Sequence, residues 1–210
     1  MRYTQYDGVS SNNNYGSATN YNNIMYNIMY DESNYMGVVV FHFGHGYVPD
    51  YIDSNGNLVS YSNIASSTNG YNEHYFVWMW TCTLAQDYNF AHAWTQKSSL
   101  SSDGFNYPDS TSHSFIGFTG ESPTISYQSF EGYSQLAYLF IEWFYYYSVY
   151  SSYNVHDALN LASQAVFGVS YNSSPLTSYN AWWPGGDGIP AGWFAGQMKI
   201  YGDAAIMIKQ

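Results

Sequence analysis

Two uninterrupted apolar runs constrain the fold of this chain more than any other feature of its sequence. The first run spans residues 36–41, and the second spans residues 75–80. A strand with one face in water alternates polar and apolar side chains, whereas a strand covered on both faces does not. A third, shorter apolar segment covers residues 114–118. The three segments therefore predict the buried strands of a mainly parallel sheet.

Helical patterns precede and follow these strands. Apolar residues at helical spacing predict a short helix over residues 21–30, which the polar residues 31–35 should end. A wide apolar stripe predicts a second helix over residues 133–147. A third helix should begin after Asn154, a good N-cap residue, and stop at Gly168. Strands that alternate with helices indicate the α/β class.

The chain has 210 residues, which is enough for one domain with a sizeable core. Residues 1–23, rich in Asn, Tyr and Ser, show no clear period and predict an irregular N-terminal arm. We therefore expect a single domain over residues 24–210. Near its end, residues 197–208 predict a hairpin whose two strands are separated at Gly202.

The charge of the chain excludes several classes of partner. The net charge is −11 with only four lysine and arginine residues, so no basic patch can follow a nucleic-acid backbone. No apolar run reaches the ~20 residues of a membrane span, so none is predicted. Only 9% of the residues are charged, and the polar surface must come from Asn, Ser, Thr, Gln and Tyr. This composition indicates an extracellular or cell-surface location, and without a signal peptide the chain would be a mature form or a fragment.

Chemistry-bearing residues follow the two apolar runs. His45 and Gly46 come just after the first run, and Cys82 comes just after the second. Ligands of a parallel sheet bind beyond the carboxyl ends of its strands. If the two strands are neighbours, His45 and Cys82 emerge at the same edge, where a histidine can activate a thiol. The alternative is a histidine of an ordinary turn and a cysteine that fills the core.

The two strand ends carry the sequences VVVFHFGHG and YFVWMWTC, and Cys82 follows His45 by 37 positions. This pattern resembles the caspase-like cysteine peptidases of clan CD. The later segments SFIGFTGESPTIS, FYYYSVYSSYNVHDALNLASQAVFG and QMKIYGDAAIMI are similar to segments of the gingipain and legumain branch. The resemblance covers roughly residues 24–208. It implies a three-layer sandwich with a mainly parallel sheet flanked by helices. The family has further strands and a helix before the histidine strand, and the 35 residues that precede Met36 are too few for all of them, so we expect a shortened N-terminal half.

The resemblance also implies an activity and a set of site residues. It makes Cys82 the nucleophile of a cysteine endopeptidase and His45 the group that ionises the thiol and protonates the leaving amine. The backbone N–H groups of Gly46 and Cys82 would form the oxyanion hole. Phe118, Thr119 and Glu121 are the candidates for lining the substrate pocket. The substrate would be a peptide or protein, and no cofactor is implied.

Specificity stays open at this point. A pocket for aspartate needs arginine, and Arg2 is the only arginine in the chain, so an aspartate-directed caspase is not expected. An acidic pocket for Arg or Lys, or a polar pocket for Asn, remains. Two functions also stay open: a cysteine endopeptidase, or a non-catalytic caspase-like module that binds partners or assembles into a homo-oligomer. A serine hydrolase is not expected because the chain has no G-x-S-x-G segment.

The remaining histidines and acids predict no metal site. His42 and His45 lie near Asp50 and Asp53, but this spacing does not converge on an extended segment. We expect His42 to be buried or to face the sheet, and residues 53–57 to form a turn. The other histidines are expected at the surface; they are His74, His92, His113 and His156.

Overall fold

The structure is a computed structural model, and it describes most of the chain after the first 20 residues. The described residues are 21–44, 46–47, 50–53, 55–68, 72–125, 132–179, 181–183, 192–194 and 196–208. Residues 1–20 of the predicted N-terminal arm lie outside the described residues. Residues 21–23, the rest of the predicted arm, belong to the first helix.

The helices and strands alternate along the described chain. The α-helices are α1 Tyr21–Asn34, α2 Tyr61–Ser67, α3 Asn89–Thr95, α4 Gly132–Tyr145 and α5 Val155–Phe167. A π-helical turn, Tyr146–Tyr150, continues α4, and short 3₁₀ turns cover Tyr171–Ser173 and Pro175–Thr177. The strands are β1 Val38–Phe43, β2 Gly46–Tyr47, β3 Asp50–Ile52, β4 Leu58–Val59, β5 His74–Trp80, β6 Ser114–Phe118, β7 Ala181–Trp183, β8 Gly192–Phe194 and β9 Met198–Gly202. Within these ranges no helix is both long and apolar enough to cross a membrane.

The central sheet contains the three strands that the apolar runs predict. Its strand order is β1-β5-β6-β9, with β1 parallel to β5 and β5 parallel to β6. Each of these parallel strands is almost wholly buried, as expected for strands covered on both faces. The α/β class and the mainly parallel sheet are therefore confirmed.

The two faces of the sheet bury different kinds of side chain. On one face Val40 and Val77 belong to a cluster that includes side chains of the helices α1, α2 and α3. The other face is aromatic. Phe41 and Trp78 lie 4.9 Å apart between ring centroids, and Trp80 lies 5.8 Å from Trp78. Each fully buried side chain of this size contributes about 1.5–3 kcal/mol, so both faces stabilise the sheet.

The chain divides into two compact units. The first comprises residues 1–120 and 199–204, and the second comprises residues 121–198 and 205–210. In the second unit α4 packs on α5, with Phe140 stacked against Phe167 at 5.9 Å between centroids. The single domain expected over residues 24–210 stays a prediction.

Helix α1 is longer than its polar end predicts. The residues 31–35 were expected to end the helix, but α1 continues to Asn34. Two of these polar residues are buried, because Asp31 is 0% exposed and Glu32 is 2% exposed. Glu32 binds a histidine of β5, and a tertiary contact of this kind outweighs weak local preference. The expected break was therefore wrong.

Helix α5 begins and ends where its caps predict. The side chain of Asn154 accepts a hydrogen bond from the backbone N–H of Asp157, and Gly168 closes the helix in the left-handed conformation at φ 71°. Asparagine and glycine are preferred at these two positions because each satisfies the end of a helix at low cost.

The N-cap of α5 gives a first prediction. We expect Asn154→Ala to lower the free energy of unfolding by about 1 kcal/mol, because the N–H of Asp157 loses its acceptor. Urea denaturation measures the change. Gln164→Ala, an exposed substitution within the same helix, should change the free energy by less than about 0.5 kcal/mol. Equal effects of the two substitutions would contradict the capping role.

The end of the chain does not form the expected hairpin. Residues 198–202 form β9, but the second expected strand is absent from the described residues 205–208. Met207 instead pairs with Asn154 in an isolated bridge. Gly202 has φ 95°, and its backbone approaches His113 so closely that a Cβ atom would overlap the carbonyl oxygen. Glycine at position 202 therefore lets the end of β9 approach the backbone of His113, directly before β6. It does not form the turn of a hairpin.

Candidate active site

The ends of β1 and β5 meet at one edge of the sheet. These strands are parallel neighbours, and their last paired residues are Phe43 and Trp80. The backbone N–H of Gly44 then donates to the carbonyl oxygen of Trp80 at 3.5 Å. The segments that follow the two strands therefore leave the sheet side by side. The condition for His45 and Cys82 to follow strands that end at the same edge, that β1 and β5 are neighbours, is therefore met.

Gly46 packs directly on Cys82. A Cβ atom built on Gly46 would overlap the carbonyl oxygen of Cys82 and would lie 2.9 Å from Cγ2 of Thr81. Only glycine permits such an approach between two backbones. Cys82 is partly buried and forms no disulfide. The structure therefore brings Gly46 and Cys82 together, whereas His45, directly before Gly46, lies outside the described residues.

The hairpin that contains Gly46 orients its backbone N–H. Tyr47 pairs with Asp50, and Gly46 pairs with Tyr51 in the antiparallel ladder. Two residues separate Tyr47 from Asp50, so this closing pair is the hydrogen-bonded kind. Hydrogen-bonded and non-hydrogen-bonded pairs alternate along an antiparallel ladder, so Gly46 and Tyr51 form a non-hydrogen-bonded pair. The N–H of Gly46 therefore points away from β3.

The chain turns sharply after Cys82. Thr83 has φ 69°, in the left-handed region, and its hydroxyl donates to the carbonyl oxygen of Cys82 at 2.6 Å. The N–H of Thr83 donates to the carbonyl of Gly120 at 2.8 Å, and the N–H of Ala85 donates to the carbonyl of Phe118 at 2.9 Å. The segment after Cys82 therefore runs alongside the segment after β6. The sequence offered no signal for this turn, because threonine rarely adopts positive φ.

The three pocket candidates differ in their surroundings. Phe118 is fully buried, with its ring 5.0 Å from that of Trp80, so it could form only the floor of a pocket. Thr119 is partly exposed. In the sequence it lies between Phe118 and Gly120, whose carbonyl oxygens accept hydrogen bonds from the segment after Cys82. Glu121 is exposed and belongs to the second compact unit. The pocket itself stays a prediction.

His42 is buried at the end of β1, as expected. Its side chain lies 5.0 Å from Tyr51 between ring centroids, and burial lowers its pKa from 6.5 to about 4. Nε2 of His42 is buried with no hydrogen-bond partner in the described part of the chain. A Cβ atom on Gly44 would lie 2.6 Å from this nitrogen. The neutral ring of His42 therefore restricts position 44 to glycine and shapes the turn that leads to Gly46.

The lowered pKa of His42 gives a second prediction. The unfolded chain takes up this proton near pH 6.5 and the folded chain only near pH 4, so the unfolded state binds more protons between these values. The free energy of unfolding should therefore fall as the pH drops from 6.5 to 4, by about 3 kcal/mol from this group at about 1.4 kcal/mol per pKa unit. Urea denaturation at several pH values measures the loss. His42→Gln should remove this part of the acid sensitivity, and an unchanged pH dependence would contradict it.

Asp50 and Asp53 are the acidic residues that lie near His42 in the sequence. Oδ1 of Asp53 accepts hydrogen bonds from the N–H groups of Asn55 and Asn57, at 2.8 and 2.7 Å, so its carboxylate builds the predicted turn. Burial raises the pKa of Asp50. Across the residues that the structure describes, no three His, Cys, Asp or Glu side chains converge as metal ligands do.

Two histidines expected at the surface are buried. His74 is fully buried and its Nδ1 binds Oε1 of Glu32, while the second oxygen of Glu32 accepts from the N–H of Glu73 at 3.1 Å. His113 is 8% exposed, and both of its ring nitrogens lie within 2.8 Å of backbone carbonyls. The sequence did contain a signal for the burial of Glu32, because Glu32 follows Ile28 by one helical turn on the buried face of α1.

No protein-family model, curated protein or solved structure matches this chain. The evidence for its function therefore comes from its own residues. The features that bear on the predicted site lie where β1 and β5 end. There Gly46 contacts Cys82, and a strained turn follows the thiol.

Proposed function

We propose that this chain is a caspase-like cysteine endopeptidase that acts through Cys82 and His45. The observation that carries the proposal is the contact of Gly46 with the backbone of Cys82 at the ends of two parallel strands. The resemblance to caspase-like peptidases implies a His-Gly segment beside the nucleophile, in which the histidine supplies the imidazole and the glycine supplies an N–H group. His45 and Gly46 form such a segment after β1.

The proposed reaction proceeds in two halves. The thiolate of Cys82 attacks the carbonyl carbon of the scissile peptide bond and forms a tetrahedral intermediate. The intermediate collapses as the C–N bond breaks, and the imidazolium of His45 protonates the leaving amine. Water then attacks the thioester and passes a proton to His45, and the carboxylic acid product leaves as the thiolate is regenerated. No cofactor is required.

The developing oxyanion needs donors that are in place beforehand. The proposed donors are the N–H groups of Gly46 and Cys82. Gly46 and Tyr51 form a non-hydrogen-bonded pair, so the N–H of Gly46 points away from β3, which supports this role. Each such donor contributes about 3–4 kcal/mol to stabilisation of the transition state.

The proposed substrate is an uncharged or basic segment of a protein. Of the two polar pocket candidates we favour Thr119, because the carbonyls of its neighbours Phe118 and Gly120 bind the segment that follows Cys82. Glu121, the other polar candidate, follows Thr119 by two positions. The net charge of −11 would attract basic peptides in solution. The low fraction of ionised residues supports a location outside the cell or at its surface.

Cleavage of a peptide pool tests the proposal. The pool would vary the residue before the scissile bond, and products would be identified by mass spectrometry for the wild type and Cys82→Ala. We expect cleavage by the wild type only, with Arg, Lys or Asn before the cut. Cleavage by both forms would point to a contaminant and refute Cys82 as the nucleophile. A wild type that cuts nothing while it remains folded would refute the peptidase.

A non-catalytic module that self-assembles is the second candidate function, and one observation favours it. The end of α4 and the following turn expose stacked aromatic rings. Tyr146 and Tyr150 lie 5.3 Å apart between centroids, and Trp143 and Tyr147 lie 5.6 Å apart. Tyr150 is 77% exposed. Aromatic side chains are enriched at interfaces, so such a cluster fits contact between copies.

Sedimentation measurements test the second candidate. A module that assembles through this cluster should form oligomers in the wild type and monomers in the double variant Tyr146→Ser and Tyr150→Ser. The control is Tyr107→Ser, because Tyr107 is 74% exposed outside the cluster. Monomeric wild-type protein at high concentration would refute self-assembly.

A further inference from the structure

We propose that Thr83 is a positioning residue for the thiol of Cys82, an inference that rests on the proposed function. Thr83 has a β-branched side chain and yet adopts φ 69°. That conformation is rare for such residues and costs on the order of 1–3 kcal/mol. A strained residue directly after the proposed nucleophile needs a reason, and its hydrogen bonds supply one.

Both ends of the peptide unit between Cys82 and Thr83 are bound. Its carbonyl oxygen accepts from the hydroxyl of Thr83 at 2.6 Å, and its N–H donates to the carbonyl of Gly120 at 2.8 Å. Gly46 packs against the same carbonyl oxygen. A peptide plane held at both ends resists rotation, which restrains the backbone of Cys82 on its C-terminal side. The strain at Thr83 is the cost of that restraint.

Other unfavourable features lie at the same strand ends. Oγ1 of Thr81 and Nε2 of His42 are both buried without a hydrogen-bond partner among the described residues. Unsatisfied buried groups are rare in proteins and call for an explanation, of which a catalytic role is one. Thr81 precedes Cys82 directly, and the ring of His42 lies against Gly44. The strained Thr83 and the unsatisfied hydroxyl of Thr81 therefore flank Cys82 directly in the chain.

The test compares three substitutions of Thr83. Thr83→Ser keeps the hydroxyl, Thr83→Val keeps the branched shape without it, and Thr83→Gly removes both the hydroxyl and the strain. The control is Ser112→Gly, because Ser112 is exposed, also has positive φ (58°) and precedes β6 at the opposite edge of the sheet from Cys82. The rate of Cys82 alkylation by iodoacetamide is measured against pH, and urea denaturation reports stability.

We expect Thr83→Val and Thr83→Gly to lose alkylation rate at pH 6 by about tenfold and to shift the half-maximal pH toward the ordinary thiol value of about 8.5. Thr83→Ser should keep the wild-type profile. Thr83→Gly should unfold at a urea concentration no lower than the wild type, because strain is released as the hydrogen bond is lost. A structural role alone would change the unfolding midpoint and leave the pH profile unchanged.

The two possible failures are distinguishable. If wild-type alkylation depends on His45 and Thr83→Gly leaves the profile unchanged, the positioning role is refuted and the proposed function stands. If wild-type alkylation does not depend on His45, the proposed function fails and the role of Thr83 fails with it. A changed profile in Ser112→Gly would also refute the inference, because strain relief far from the thiol would then have the same effect.

Discussion

Gly46→Ala should reduce kcat/KM for peptide cleavage by about 100-fold or more, because misplacement of a site by about 1 Å costs that much. The added Cβ atom would overlap the carbonyl oxygen of Cys82, and a backbone atom cannot swing aside as a side chain can. Separation of the two segments would displace the Gly46 N–H from the proposed oxyanion position. The loss would appear in peptide cleavage and in the alkylation rate of Cys82.

Gly56→Ala is the matched control for this substitution. Gly56 lies in the turn between β3 and β4, where an added Cβ atom meets nothing within 4 Å. Its φ of 81° makes alanine unfavourable, so we expect a loss of about 1 kcal/mol in stability and no change at Cys82. Wild-type activity in Gly46→Ala would contradict the proposed site, and equal loss of activity in both variants would show an effect of stability alone.

Glu32→Ala should lower the free energy of unfolding by about 1–3 kcal/mol, the usual cost of leaving a buried hydrogen-bonding group without its partner. His74 is fully buried and binds Glu32, which is 2% exposed, so its ring would lose its partner away from water. The N–H of Glu73 would lose its acceptor as well. Urea denaturation followed by circular dichroism measures the effect.

The neighbouring Glu73→Ala is the control for this prediction. The side chain of Glu73 is partly exposed, and the substitution keeps its backbone N–H bonded to Glu32. We expect a change within about 0.5 kcal/mol, as for ordinary surface positions. A loss below about 1 kcal/mol in Glu32→Ala would mean that water reaches His74 and that the pair does not hold α1 to β5.

The sequence predicts the features that depend on short-range pattern. The unbroken apolar runs indicated β1, β5 and β6, because burial on both faces leaves no polar alternation. The caps of α5 were predicted from Asn154 and Gly168, since each acts on its own backbone. The sequence left open whether β1 and β5 are neighbours, and the structure pairs them.

Features that depend on distant contacts were not predictable in this way. The extension of α1 depends on Glu32 meeting His74, 42 positions away in sequence. The burial of His113 depends on the carbonyl of Asn72, which is 41 positions away. The turn at Thr83 depends on Gly120 and opposes the local preference of threonine. Each of these features needs the assembled sheet before its partner is near.

One measurement tests the central proposal most directly: alkylation of Cys82 by a thiol-reactive peptide probe, compared between the wild type and His45→Ala from pH 5 to pH 9. The single cysteine makes the labelling unambiguous. A Cys–His pair predicts a wild-type half-maximal rate well below the ordinary thiol pKa of about 8.5, and a rise toward that value in His45→Ala. Superimposable pH profiles for the two proteins would contradict a catalytic pair.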